Sequence, residues 1–194
     1  MSRIMLCALV AVVTCGTHGL SGQGTPVQYP VFEDNIKTPP TLAGLAAAAD
    51  AIATVKVVGK EFKSVNNPRT GRVKDTTQYD LEIVDVVKPY AYGGLSPNGR
   101  ISIERPGGQH EEKGRLVQSV LQGSPPMVEG SEYVMFFTWN NYSRRFDVAY
   151  GPDGTFGVDA SNRIVPYGHS NVASAQRSKT VTDFVNEVRA NVQR

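Results

Sequence analysis

The stretch EGSEYVMFFTW (Glu129–Trp139) is followed by the turn NNYS (Asn140–Ser143) and by RRFDVAYGPDGTF (Arg144–Phe156). It reads as a strand, a tight polar turn and a returning strand, with a second turn at Pro152-Asp153-Gly154. Tyr133, Val134, Met135, Phe136 and Phe137 form an unbroken apolar run. A half-buried strand alternates apolar and polar residues, so a strand apolar on both sides belongs in the middle of a fold, covered on each face.

Working outward, the same logic predicts a β-rich chain. Ala51–Phe62 (AIATVKVVGKEF) reads as a long strand, with Gly59 marking a bulge or bend. Thr76–Lys88 (TTQYDLEIVDVVK) alternates Tyr79, Leu81 and Ile83 with Gln78, Asp80 and Glu82, as expected of a strand with one wet face. Arg100–Arg105 (RISIER) is a third strand. Thr155–Asp159 and Arg163–Tyr167 are two short ones, the latter restricted to an edge by Pro166. Arg115–Leu121 has apolar residues at 116, 117, 120 and 121, a spacing that fits either a helix turn or an irregular strand. Gly168–Lys179 is polar and reads as a mobile connection.

Two helices flank the strands. Thr41–Ala49 (TLAGLAAAA) follows Pro39-Pro40, with Thr41 as its cap and Leu42, Leu45, Ala46 and Ala49 on one face. Thr180–Arg194 opens on a capping pair, Thr180 and Asp183, and carries Val181, Phe184, Val185, Val188 and Val192 as one stripe. The expectation is a mainly β protein: a small antiparallel barrel with a short N-terminal helix and a C-terminal amphipathic helix. The barrel explains why the central strand is apolar on both sides, its inner face filling the core and its outer face lying under a helix.

The domain layout follows from composition. Ile4–Val13 is an apolar run behind Arg3, the length of a signal-peptide core and too short for a membrane span, so residues 1–24 are expected to direct export to the periplasm or beyond. Residues 25–40, rich in Gly, Pro, Gln and Thr, read as a linker or extended arm, and 41–194 as a single domain. The only cysteines, Cys7 and Cys15, both lie in the export segment. Cleavage after them leaves a chain with no disulfide, thiol nucleophile or thiolate metal ligand. The alternative is acylation at Cys15, although Thr14 replaces the usual small residue before a lipidated cysteine.

Net charge is +2, and removing residues 1–24 takes away Arg3 and no acid. That balance argues against nucleic acid or an anionic membrane surface as partner. No phosphate loop, nucleophile elbow or paired-histidine motif occurs, and no cofactor or metal is expected. Asn141-Tyr142-Ser143 matches an N-glycosylation acceptor at a turn where Asn and Ser are common in any case.

Three loops are candidate contact surfaces. The polar loop 63–75 carries Arg69 and Arg72; Pro89–Gly99 (PYAYGGLSPNG) carries Tyr90 and Tyr92 beside flexible glycines; the charged loop 106–114 carries His110, Glu111 and Glu112. The leading reading is a monomeric, non-enzymatic binding module with a protein or saccharide partner in the cell envelope. Two others compete with it: a metal-dependent or carboxylate-based hydrolase centred on loop 106–114, and a structural envelope component.

Several of these stretches share a familiar order. TLAGLAAAADAIATVKVVGKE, YDLEIVDVVK, RISIERPGG and VEGSEYVMFF, followed by a final helix, resemble a group of exported bacterial small β-barrel proteins with no assigned function. In that group an Ala-Asp step (here Ala49-Asp50) leads from a helix into a strand, and Glu-Gly-x-x-Tyr (here Glu129–Tyr133) leads into a central apolar strand. The order of strands is also similar to the oligonucleotide/oligosaccharide-binding barrel in its netrin and metalloprotease-inhibitor form. The resemblance covers about Thr41–Phe156 and implies a small barrel. That inhibitor form depends on an N-terminal cysteine, which this chain lacks after cleavage, so the resemblance assigns no inhibitory residue.

Overall fold

The computed structural model describes residues 27–31, 37–66, 73–112, 115–121 and 125–193. The expected export segment, both cysteines, and Arg69 and Arg72 lie outside them. In chain order the elements are β1 (Val27–Val31), α1 (Leu42–Ala48), β2 (Ala51–Asn66), β3 (Val73–Lys88), β4 (Arg100–Pro106), β5 (Gly108–Glu112), β6 (Arg115–Leu121), β7 (Glu132–Asn140) and β8 (Arg145–Val148), then a 3-10 turn (Gly151–Gly154), β9 (Thr155–Val158), β10 (Ile164–Pro166), α2 (Asn171–Ser174) and α3 (Val181–Val192).

β7 lies where its composition puts it, between β2 on one edge and β9 and β8 on the other. All of Tyr133–Phe137 are buried, none more than 2% exposed. Alternation divides them between two cores. Val134 and Phe136 join Leu45, Ile52, Phe156, Phe184 and Val188 under helices α1 and α3. Tyr133, Met135 and Phe137 join Val55, Leu81, Ile83 and Ile103 on the opposite face.

The main sheet is antiparallel throughout, with the hydrogen-bonded order β10-β9-β7-β2-β3-β4 and β8 paired to β7 beyond β9. It is not closed: β10 and β4 end the path. The edges of β4 and β8 nevertheless approach each other, and Arg145 on β8 is ion-paired with Glu104 on β4 at 2.8 Å. Register shifts between β2 and β3, including one at Val57/Gly59, put the bulge where Gly59 predicts it. Pro166 sits on the edge strand β10, where its missing N–H leaves no gap in a ladder.

The helices match their sequence signals. Thr41 Oγ1 accepts from Gly44 N, and Thr180 Oγ1 accepts from Asp183 N while donating to its carboxylate. α3 buries Phe184, Val185 and Val188 and packs beside α1. Among the described residues, no helix is long and apolar enough to cross a membrane.

Three expectations need correction, and one left open is decided. The arm 25–40 contains a strand: β1 pairs in parallel with β6, so the protein is not antiparallel everywhere. The loop 106–114 is largely strand β5, in a three-stranded sheet ordered β1-β6-β5. Gly107 and Gly108, at φ 88° and 154°, let the chain pass from β4 directly into β5. A side chain at Gly108 would put its Cβ 2.3 Å from the Phe62 ring. Arg115–Leu121, whose spacing left helix and strand open, is a strand because neighbours pair with it on both edges. Finally, Gly168–Lys179 is packed: Ser170 caps α2, Asp153 Oδ1 accepts from Ser170 N, and Val172, Ala173 and Gln176 are buried.

Candidate functional site: an aromatic groove at the end of the central strand

The site begins where β7 outruns its neighbour. β2 starts at Ala51 opposite Phe137, so the backbone of Thr138 and Trp139 extends past the last β2 pair. Asp50, the residue between α1 and β2, substitutes for the missing strand. Its backbone N–H donates to Phe137 O at 2.8 Å, and its Oδ2 accepts from Trp139 N at 2.7 Å and Thr138 Oγ1 at 3.1 Å. Trp139 is thereby held in strand geometry beyond the strand pair.

Behind Asp50, Lys88 Nζ donates to the carbonyls of Ala46, Ala47 and Ala49 at 2.9, 3.1 and 2.5 Å, satisfying the C-terminal end of α1. Burial depresses the pKa of this ammonium, with Asp50 opposing the shift.

Trp139 keeps the facing of Tyr133, Met135 and Phe137 and packs against the inner core at one end. Tyr90, from the β3–β4 connection, stacks on it with centroids 5.4 Å apart and planes 30° apart. Phe146 on β8 meets both rings edge-on, at 5.2 Å from Tyr90 and 5.1 Å from Trp139. Tyr92 stands edge-to-face on Tyr90 at 5.5 Å and 64°, with 89% of its surface exposed. Aromatic pairs in this geometry are worth about 0.5–1.5 kcal/mol beyond area burial, so the cluster is preorganised. Desolvation, with Asp50 and Tyr92 adding to it, raises the pKa of the Tyr90 hydroxyl.

These rings form one wall of an open groove of about 850 Å³. Ile101 and Ser102 of β4 contribute to its lining, as do Asp50 and the hairpin residues Asn141, Arg144 and Arg145. Asn140 Oδ1 accepts from Tyr142 N and Ser143 N, fixing the hairpin turn. Arg144 follows with φ 52°, exposed and without an ion pair among the described residues. Arg145 is held by Glu104 at 2.8 Å and Asp147 at 3.5 Å, and the hydrogen bond to Glu104 chiefly raises its pKa. Among the described residues the groove therefore presents one carboxylate, one guanidinium without an ion pair and no strong field of either sign.

The opposite end of the inner core is closed by tyrosines. Tyr167 Oη donates to Tyr133 Oη at 3.2 Å, while Tyr133 Oη and Tyr79 Oη accept from Val128 N and Met127 N. The Arg105 guanidinium lies 5.6 Å from the Tyr167 ring centre. Burial raises the pKa of Tyr79 and pushes that of Tyr167 well above the ordinary tyrosine value, against the pull of Arg105.

Of the sequence candidates, Tyr90 and Tyr92 come together in the groove. His110, Glu111 and Glu112 lie on β5 in the other sheet, their backbones paired with Val117, Leu116 and Arg115. Among the described residues, no group of three or more His, Cys, Asp or Glu side chains is placed to hold a metal ion. Asp50, Trp139, Arg144 and Phe146 are site residues that sequence reading missed. One signal for Trp139 was available: the odd-numbered alternation of the central strand continues to it, two residues past the buried run. No known protein-family model matches the chain, and none of the curated proteins matches it.

Proposed function

We propose that the chain is an exported, non-enzymatic binding module that engages its ligand through the groove of Tyr90, Tyr92 and Trp139. The observation that carries this reading is a rigid aromatic platform left open to solvent, with Tyr92 exposed beside two half-buried rings. Tyrosine, tryptophan and arginine dominate the binding energy of recognition surfaces because they bring large area at low conformational cost. The volume lies within the range of small-ligand sites.

Binding fits this lining better than catalysis does. Carboxylate-based hydrolysis uses two acids flanking one bond, whereas Asp50 is the single acid lining the groove among the described residues and is already anchoring Trp139. The signal-like N-terminus and the resemblance to exported proteins support export. The approach of β4 to β8 supports reading the main sheet as a barrel-like shell with the groove at its mouth.

Trp139 is the only tryptophan in the chain, so its emission reports on this site alone. Titration of cell-envelope fractions into the full chain is expected to change that emission saturably, and Tyr92→Ala to abolish the change. A response that persists unaltered in Tyr92→Ala, or no response to any fraction, overturns the proposal.

A further inference from the structure

The groove's chemistry identifies a ligand class, an inference that rests on the binding-module reading. We infer that it takes a neutral oligosaccharide. Three observations converge on this. First, the field is balanced: Asp50 and Arg144 oppose each other and Arg145 is held by Glu104 and Asp147, so neither an anionic polymer nor a cationic peptide finds a complementary charge.

Second, the rings make a corner. Tyr90 is stacked on Trp139, and Tyr92 stands at 64° to Tyr90. A pyranose ring has an apolar face of axial C–H bonds that lies flat on an aromatic plane, and a corner accepts one such ring with a second surface against its edge. A proline-rich peptide helix docks between aromatic rings that leave a slot for it, whereas Tyr90 and Trp139 are stacked on each other with no slot between them.

Third, the polar groups along the groove suit vicinal hydroxyls. The Asn141 amide, the Arg144 guanidinium and the Asp50 carboxylate are planar, each with two adjacent polar atoms. Asp50 spends only Oδ2 on the protein; Oδ1 has no hydrogen-bond partner among the described residues and accepts a sugar O–H. Asn141 is fully on the surface and supplies both a donor and an acceptor.

The test is calorimetric titration of the full chain with defined neutral oligosaccharides (gluco-, manno-, xylo- and N-acetylglucosamine oligomers), alongside a proline-rich peptide and an acidic oligosaccharide. At least one neutral sugar is expected to bind saturably. Tyr92→Ala is expected to weaken it on the order of tenfold or more, with the thermal midpoint unchanged because Tyr92 is exposed; Asn141→Ala should weaken it as well. If no neutral sugar binds, or binding is indifferent to Tyr92→Ala, the inference is wrong. If the peptide or the acidic sugar alone binds and Tyr92→Ala abolishes that binding, the saccharide assignment fails while the groove remains the binding site.

Discussion

At the residue scale, Asp50 supports much of the site. Its hydrogen bonds to Trp139 N and Thr138 Oγ1 are solvent-exposed, and such a hydrogen bond contributes about 0.5–1.5 kcal/mol net. Asp50→Ala is therefore expected to lower stability by that order and to shift Trp139 emission to the red as the end of β7 loosens; chemical denaturation followed by fluorescence checks both. Tyr92→Ala, at an exposed position, is expected to stay within about 0.5 kcal/mol of the parent. Asp50 illustrates what was hidden in the sequence. The Ala49-Asp50 step is visible as a helix stop, but its partner is 89 residues away, and a bond of that separation has no local signature. Tyr90 and Tyr92 were legible because aromatics in a glycine-rich loop stand out. Arg144 and Phe146 were not, because their relation to Tyr90 depends on how two edges of one sheet meet.

At the element scale, β7 was the most legible part. Five consecutive apolar residues admit few placements other than a covered strand, and Phe136 is packed against Phe156 at 5.6 Å under the helices. Phe136→Ala is expected to cost about 3–5 kcal/mol, measured by urea unfolding. α3 was equally plain from its stripe and cap, and Thr180→Ala should cost about 1 kcal/mol in the same assay. β6 was legible only as one of two readings, and β5 and β1 were not legible. Polar, glycine-punctuated stretches look like loops, and what makes them strands is pairing across the chain: β1 finds β6 some ninety residues away. His110, Glu111 and Glu112, read as a loop tip, are ladder positions of β5.

At the scale of the whole molecule, two ends of one core have different characters: aromatic and open at Trp139, tyrosine-closed at Tyr167. The closed end sets an alkaline limit. Tyr79 and Tyr167 have pKa values above the unfolded tyrosine value of about 10. Above that pH the unfolded chain releases protons that the folded chain retains, so the contribution of these groups is full below about pH 10 and declines as pH rises. Tyr167→Phe is expected to flatten that decline; thermal midpoints between pH 8 and 11 give the slope.

Recognition at the open end is what the proposed function stands on. An amide chemical-shift map of the isotope-labelled chain, titrated with the neutral oligosaccharide that binds it, tests this. Saturable shifts are expected to centre on residues 90–94, 101–102 and 139–146, with the Trp139 indole among the largest. Shifts centred instead on β5 and β6, around His110 and Glu111, would contradict it.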